Sequence, residues 1–167
     1  MILGVDPGLA GAVAIYDPQK GCVLDAHTIP TLSTKRNGKL KSSVDIHAMV
    51  ILAQRIAADF PQITAKIELV GAMRKQGVSS MFSFGRTDGI IETAIVAAGI
   101  PFSKVAPQVW KKALSVGADK DCSLLRASQL MPSSVLHWTP VRLLRDKQDC
   151  IGVADAALIA YHGAHCC

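Results

Sequence analysis

The chain has 167 residues, with 18 Lys and Arg against 13 Asp and Glu for a formal net charge of +5, and half of its residues are hydrophobic. That length suits one compact domain, and the apolar content supports a substantial core, which excludes an intrinsically disordered or fibrous chain. No apolar stretch approaches the roughly 18 residues that span a bilayer, so no membrane partner is expected.

In chain order, Ile2 to Val5, Gly11 to Tyr16 and Cys22 to Ile29 read as three short apolar strands. Asp6-Pro7-Gly8-Leu9-Ala10 and Asp17-Pro18-Gln19-Lys20-Gly21 supply the turns of an antiparallel meander. Pro30 to Ser43 is polar, carries Lys35, Arg36, Lys39 and Lys41, and reads as a mobile loop. Between Val44 and Phe60, Ile46, Met49, Val50, Leu52, Ala53 and Ile56 recur at helical spacing, with Ser43 or Asp45 near the start. Ala65 to Val70 forms a fourth strand containing Glu68, followed by a basic loop from Gly71 to Ser80. A helix over Phe84 to Ala98, a fifth strand over Phe102 to Ala106, and a short helix opened by Pro107 come next. Asp119 to Leu130 gives another helix, closed by Met131-Pro132, and Val153 to Tyr161 a final buried one. The expectation is one mixed α/β domain over residues 1–163, with five strands in the sheet and helices against it.

Cys22, Cys122, Cys150, Cys166 and Cys167 form no Cys-x-x-Cys pair, and Met1 to Asp6 reads as a strand with no secretory signal, which points to a reducing cytoplasm. Cys166 and Cys167, with His162 and His165, crowd the chain end and have no partner pair at zinc-finger spacing. Residues 164–167 are therefore expected to be a frayed tail.

Three acids stand where a core has little structural use for them. Asp6 ends an apolar strand, Glu68 sits inside another, and Asp155 lies among Val153, Ala154, Ala156, Ala157, Leu158 and Ile159. Each has a plainer reading: a turn residue, a solvent-facing edge position, and a salt-bridged or capping acid. Taken together they favour a divalent cation, because converging ionised carboxylates without a counter-charge are expensive to bury. Mg²⁺ accepts hard oxygen ligands and keeps waters able to attack a phosphodiester.

Ile2-Leu3-Gly4-Val5-Asp6-Pro7-Gly8, then Ile67-Glu68, then Ala154-Asp155-Ala156-Ala157-Leu158-Ile159-Ala160 resemble the three acidic motifs of RuvC-like Holliday-junction resolvases. Phe84 to Glu92 and Pro107 to Leu114 also resemble segments of that family, in particular its bacteriophage-type branch. The resemblance implies a ribonuclease H-like fold, a homodimer, and endonucleolytic resolution of four-way and branched DNA with Mg²⁺, or Mn²⁺ as substitute. It also implies that Asp6, Glu68 and Asp155 are catalytic metal ligands, with Asp6 bridging two ions.

The family usually has a further Asp or His three or four residues before the last acid, where this chain has Gly152 and Ile151. Asp149 is the candidate replacement. In a regular helix it lies about 240° around from Asp155, so it reaches the metals only if the helix starts after Gly152. Asp146 is a weaker substitute, and a helix cap is the plainer reading of Asp149.

Lys35, Arg36, Lys39, Lys41, Arg74, Lys75 and Lys111 are the candidate phosphate contacts, each also readable as ordinary solvated surface. Phe82, with Met81 and Phe84, is a candidate for stacking on unpaired bases at the crossover. By analogy with the family, Lys112 is assigned to stabilising charge at the scissile phosphate. The Phe84 to Ala98 helix, with Ile90, Ile91, Ala94, Ile95 and Ala98, is the candidate dimer interface. Two other readings share some features: a noncatalytic binding module for branched nucleic acid on the same scaffold, and an actin-like ATPase, for which the chain is short.

Overall fold

A computed structural model describes residues 1–36, 38–71, 77–119, 121–139 and 146–166. β1 (Ile2–Val5) is the middle strand of a five-stranded sheet of order β3-β2-β1-β6-β7. β2 (Ala12–Asp17) and β3 (Cys22–Thr28) continue from it as the antiparallel meander, while β6 (Thr64–Glu68) and β7 (Phe102–Val105) run parallel to β1. The change of direction follows from the connections. Short turns join the first three strands, whereas helices α1 (Ile46–Asp59) and α2 (Val78–Ala97) intervene before β6 and β7.

Strand alternation sorts the core into two layers. Leu3, Val5, Val13, Ile15, Ala65 and Ile67 face α1 and α2, which contribute Met49, Leu52, Ile56, Ile91 and Ile95. On the opposite face Ala12, Ala14 and Tyr16 meet α5 (Lys147–His165) and Trp110 of α3 (Pro107–Ala113). α4 (Asp121–Leu130) and a 3₁₀ helix (Pro132–Trp138) complete that layer through Ala127 and Trp138.

Two glycines let α5 press onto the sheet. A Cβ at Gly4 would stand 1.9 Å from the Ala156 carbonyl oxygen, and one at Gly152 would stand 2.4 Å from the Ala10 carbonyl oxygen. Neither position admits any side chain without separating the backbones. The close approach sets the Ala154–Ala157 turn of α5 directly over the end of β1.

Several expectations are corrected. Thr31–Arg36 and Lys39–Val44 are not a mobile loop but a two-stranded antiparallel hairpin, β4 and β5, standing apart from the main sheet. Its first strand is exposed on both faces, so no alternation betrays it, and Gly38 takes the positive φ of 75° that the turn needs. α2 starts at Val78, six residues before Phe84; its first turns are largely exposed, Val78 and Phe82 included, and carry no apolar period. The 3₁₀ helix after Met131 was not expected.

α5 is longer at both ends than Val153 to Tyr161. It extends through His165, whose Nε2 lies 3.0 Å from the Tyr16 hydroxyl and whose ring packs 4.3 Å from that of Tyr161. Residues 164 and 165 are thus helix, not tail. Among the described residues no helix is long and apolar enough to cross a membrane.

Candidate active site

Parallel pairing puts Val5 opposite Ile67, so the residues that follow them, Asp6 and Glu68, are neighbours at the C-terminal ends of adjacent strands. Leu3, Val5, Ala65 and Ile67 face α1 and α2; alternation turns Asp6 and Glu68 to the other side, toward α5. Asp155 meets them there, because Gly152 brings α5 against the Ala10–Gly11 turn that follows Asp6. The Asp6 amide donates to the Ala12 carbonyl at 3.0 Å, which closes that turn. All three acids are half-buried, so each keeps an opening to solvent.

Among the described residues, their charges are offset only in part. Burial, then Asp155 and Glu68, push the Asp6 carboxyl up to about 8, against a smaller opposing pull from Lys111. Burial also raises Glu68; a hydrogen bond from Trp110 opposes it, Asp155 adds to it, and Lys111 again counteracts. Asp155 is raised by burial, opposed by a hydrogen bond from Ser123 and by Lys111. Its Oδ1 is buried with no hydrogen-bond partner.

Those features fit a hard divalent ion: three oxygen donors, mutual repulsion, and an unpartnered buried carboxylate oxygen. The acids interact through their charges without forming a closed ligand shell. Among the described residues, no three His, Cys, Asp or Glu side chains are close enough together to hold an ion as they stand. The same holds for His162, His165 and Cys166, and Cys22, Cys122, Cys150 and Cys166 form no disulfide.

Asp149 does not join the group in the way the sequence required. α5 is already helical from Lys147, so it carries Asp149 to the side away from Asp155. The Asp149 amide donates to Asp146 Oδ1 at 2.8 Å, which makes Asp146 the helix cap and occupies it as a substitute ligand. Ile151 is buried and Gly152 has no room for a side chain.

The two neighbouring lysines are placed differently. Lys111, half-buried with its Nζ 5.2 Å from the centre of the Trp110 ring, is the cation that acts on all three acids, whereas Lys112 is exposed. Lys35 and Lys41 are exposed on the hairpin, and the backbones of Arg36 and Lys39 pair beside its turn. Lys41, Ser80, Ser83, Phe84 and Thr87 line a groove with Leu9 of the turn after Asp6. Arg74 and Lys75 lie outside the described residues. Phe82 is 74% exposed, free to meet a partner. On α2, Ile91, Ala94 and Ile95 are buried in the protein's own core, which leaves Val78, Phe82 and Val96 as its exposed apolar residues.

Trp110 and Ser123 are the two site residues that sequence reasoning missed. The Trp110 indole donates to Glu68 Oε1 at 2.9 Å, and buried Ser123 lies near enough to Asp155 to draw its carboxyl down against burial. The signal for Trp110 was general: a buried indole N–H needs an acceptor. Nothing in the sequence marks Ser123.

No protein-family model matches the sequence, and no curated protein matches it. Among solved structures, RuvC of Thermus thermophilus in complex with a Holliday junction substrate aligns with 97% of this chain and 93% of its own, at 15% identity and a TM-score of 0.61. A second Thermus thermophilus RuvC structure aligns with 98% of this chain and 94% of its own, at 15% identity and a TM-score of 0.51. The yeast mitochondrial Holliday junction resolvase Ydc2 aligns with 98% of this chain and 77% of its own, at 14% identity and a TM-score of 0.48. With a mixed five-stranded sheet flanked by helices over nearly its whole length, the chain has the ribonuclease H-like fold of the RuvC resolvases.

Proposed function

We propose that the protein is a structure-selective endonuclease that resolves Holliday junctions and related branched DNA by divalent-metal-dependent hydrolysis of phosphodiesters. The observation that carries the reading is the convergence of Asp6, Glu68 and Asp155, from β1, β6 and α5, into one solvent-accessible site whose charge, among the described residues, is offset only in part, by Lys111. The junction-bound RuvC of Thermus thermophilus supports the choice of substrate.

Asp6, Glu68 and Asp155 would hold Mg²⁺, with Mn²⁺ as substitute, which would offset their mutual repulsion. When bound, the ion supplies an activated water and Lewis-acid stabilisation of the leaving oxygen, so no covalent enzyme intermediate is needed. Lys111 faces the same site and offsets negative charge at the scissile phosphate, the role first assigned to Lys112. Lys35 and Lys41 hold phosphates of a junction arm against the hairpin, and Phe82 stacks on bases exposed at the crossover. A homodimer presents two such sites to two strands of like polarity, matching the approximate two-fold symmetry of a junction. The free thiols suit work in a reducing cytoplasm.

The test compares wild-type protein with Asp6→Asn on a labelled four-way junction in Mg²⁺ and in Mn²⁺. Retained binding with lost cleavage is the expected result. Equal cutting by both proteins overturns the site. One observation favours a second reading as a noncatalytic junction binder: Gly152 has no room for a side chain and α5 carries Asp149 about 240° around from Asp155, so three acids come together among the described residues. Junction binding by wild type with no cutting in either metal would establish that reading instead.

A further inference from the structure

The β4–β5 hairpin stands on a buried root. Ile29, just before it, and Val44, at its end, belong to the core layer of α1 and α2. The Ile29 amide donates to the Gly11 carbonyl at 3.0 Å and the Asp45 amide to the Pro30 carbonyl at 2.9 Å, which ties the root to the turn that follows Asp6. Beyond the root, residues 31–35 and 40–42 are exposed, and the two strands form a sheet with each other alone. A two-stranded ribbon of this kind adds little to stability, so its use lies in what it meets. Residues 26–44 hold Lys35, Arg36, Lys39 and Lys41 and no acid, which suits a polyanion. Lys41 lines one groove with Leu9 of the turn after Asp6, so the hairpin stands at the acidic end of the sheet.

Two leucines depart from this polar surface. Leu32, opposite Ser43, stays near the root, whereas Leu40 is placed beside the turn, opposite Lys35, and is 76% exposed. A leucine exposed over a core is ordinary, because the element beneath it has its own structural reason. The outer part of the hairpin covers no core. Its lysines hold phosphates, which are as plentiful on continuous duplex as on a junction, so they give affinity without preference for a branch. An apolar side chain gains only where it leaves water against another apolar surface. In continuous duplex the base faces are hidden in the stack; at a crossover a base step opens more readily and a leucine can enter it.

We propose that Leu40 is a wedge that enters an opened base step of the junction, so that the hairpin gives the protein its preference for branched over continuous DNA. The inference rests on the proposed action on junctions and adds to it a residue that selects the DNA. The cations beside Leu40 hold the backbone while the leucine covers the uncovered base faces.

The experiment measures affinities for a labelled four-way junction and for a continuous duplex of equal length, by fluorescence anisotropy in EDTA, so that binding is read apart from cutting. It compares wild type, Leu40→Ser, Leu40→Met and the Lys35→Ala, Lys41→Ala double variant, with melting temperatures alongside. Leu40→Ser is expected to melt as wild type does, to lose about tenfold in junction affinity and to bind the duplex within about twofold of wild type. Leu40→Met, which keeps an apolar side chain of similar volume, is expected to restore junction affinity. The double lysine variant is expected to weaken both DNAs alike. If Leu40→Ser keeps the wild-type ratio of junction to duplex affinity, the proposal is overturned while the nuclease reading stands. If wild type itself binds the two DNAs equally, the structure-selective reading fails and this proposal with it.

Discussion

The two faces of the central sheet each carry a group of carboxylates, and the fold treats them differently. On the α2 face, Asp88 and Glu92 meet Lys104 of β7: the Lys104 ammonium lies 3.3 Å from Asp88 Oδ2 and contacts Glu92 Oε1. Burial works against the charge on Lys104, but Glu92 and Asp88 together outweigh it and raise its pKa. On the α5 face, Glu68 takes a hydrogen bond from the neutral Trp110 indole, and among the described residues no cation contacts Asp6, Glu68 or Asp155, on which Lys111 acts from farther off. Asp88 and Asp155 each leave an Oδ1 unpartnered, so an orphaned oxygen does not separate the two groups. The cation in contact does. Where a cation is in contact, acids serve the architecture; where acids come together and no described residue supplies one, an external cation can.

The sharpest way to break that contrast is to neutralise one acid on each face. Asp6→Asn is expected to lower junction cleavage by at least about a thousandfold with binding kept, and Asp88→Asn to leave the cleavage rate within about twofold. Comparable losses in gel-based cleavage assays would erase the distinction. Next in size, Lys111→Met is expected to cut kcat by about a hundredfold and Lys112→Met by less than about threefold, since only Lys111 faces the acids. Single-turnover kinetics on the two variants decides between the lysines.

Stability should respond with opposite signs on the two faces. Lys104→Met strands two acids without their counter-ion and is expected to cost about 2 kcal/mol in urea unfolding. Asp6→Asn in EDTA is expected to stabilise. Asp6 is raised from 3.8 to about 8, so its contribution to stability is complete below its ordinary value and is lost as pH rises through 8. Metal-free wild type should therefore lose stability across that window, and above it the Asn variant should melt higher, by roughly 5 °C. Added Mg²⁺ raises the melting temperature of wild type alone. The smallest effect belongs to the hairpin. Lys35→Ala with Lys41→Ala is expected to reduce the salt dependence of junction affinity by about two charges without changing the rate at saturating DNA.

The acidic centre was legible because strand ends and an apolar helix leave Asp6, Glu68 and Asp155 little else to do. Other features depended on partners distant in sequence. Gly152 and Ile151 read as a missing acid until the contact with Ala10 showed that nothing larger than glycine fits at 152. Which of Lys111 and Lys112 faces the site depends on the rotation of α3 about its axis, and Trp110 had fixed that rotation by reaching for Glu68. The hairpin left a local clue that composition obscured. Asn37-Gly38 is a strong two-residue turn signal, and Arg36 pairs with Lys39 across it. Ser123 left no clue, since a serine in an amphipathic helix becomes informative only when its neighbour is known.

The most direct test of the account is an anomalous difference map from crystals of wild-type protein grown with Mn²⁺. The account predicts a peak with oxygens of Asp6, Glu68 and Asp155 at about 2.2 Å, the three carboxylates having closed on the ion. A well-occupied Mn²⁺ elsewhere, with those three carboxylates still apart, would contradict it.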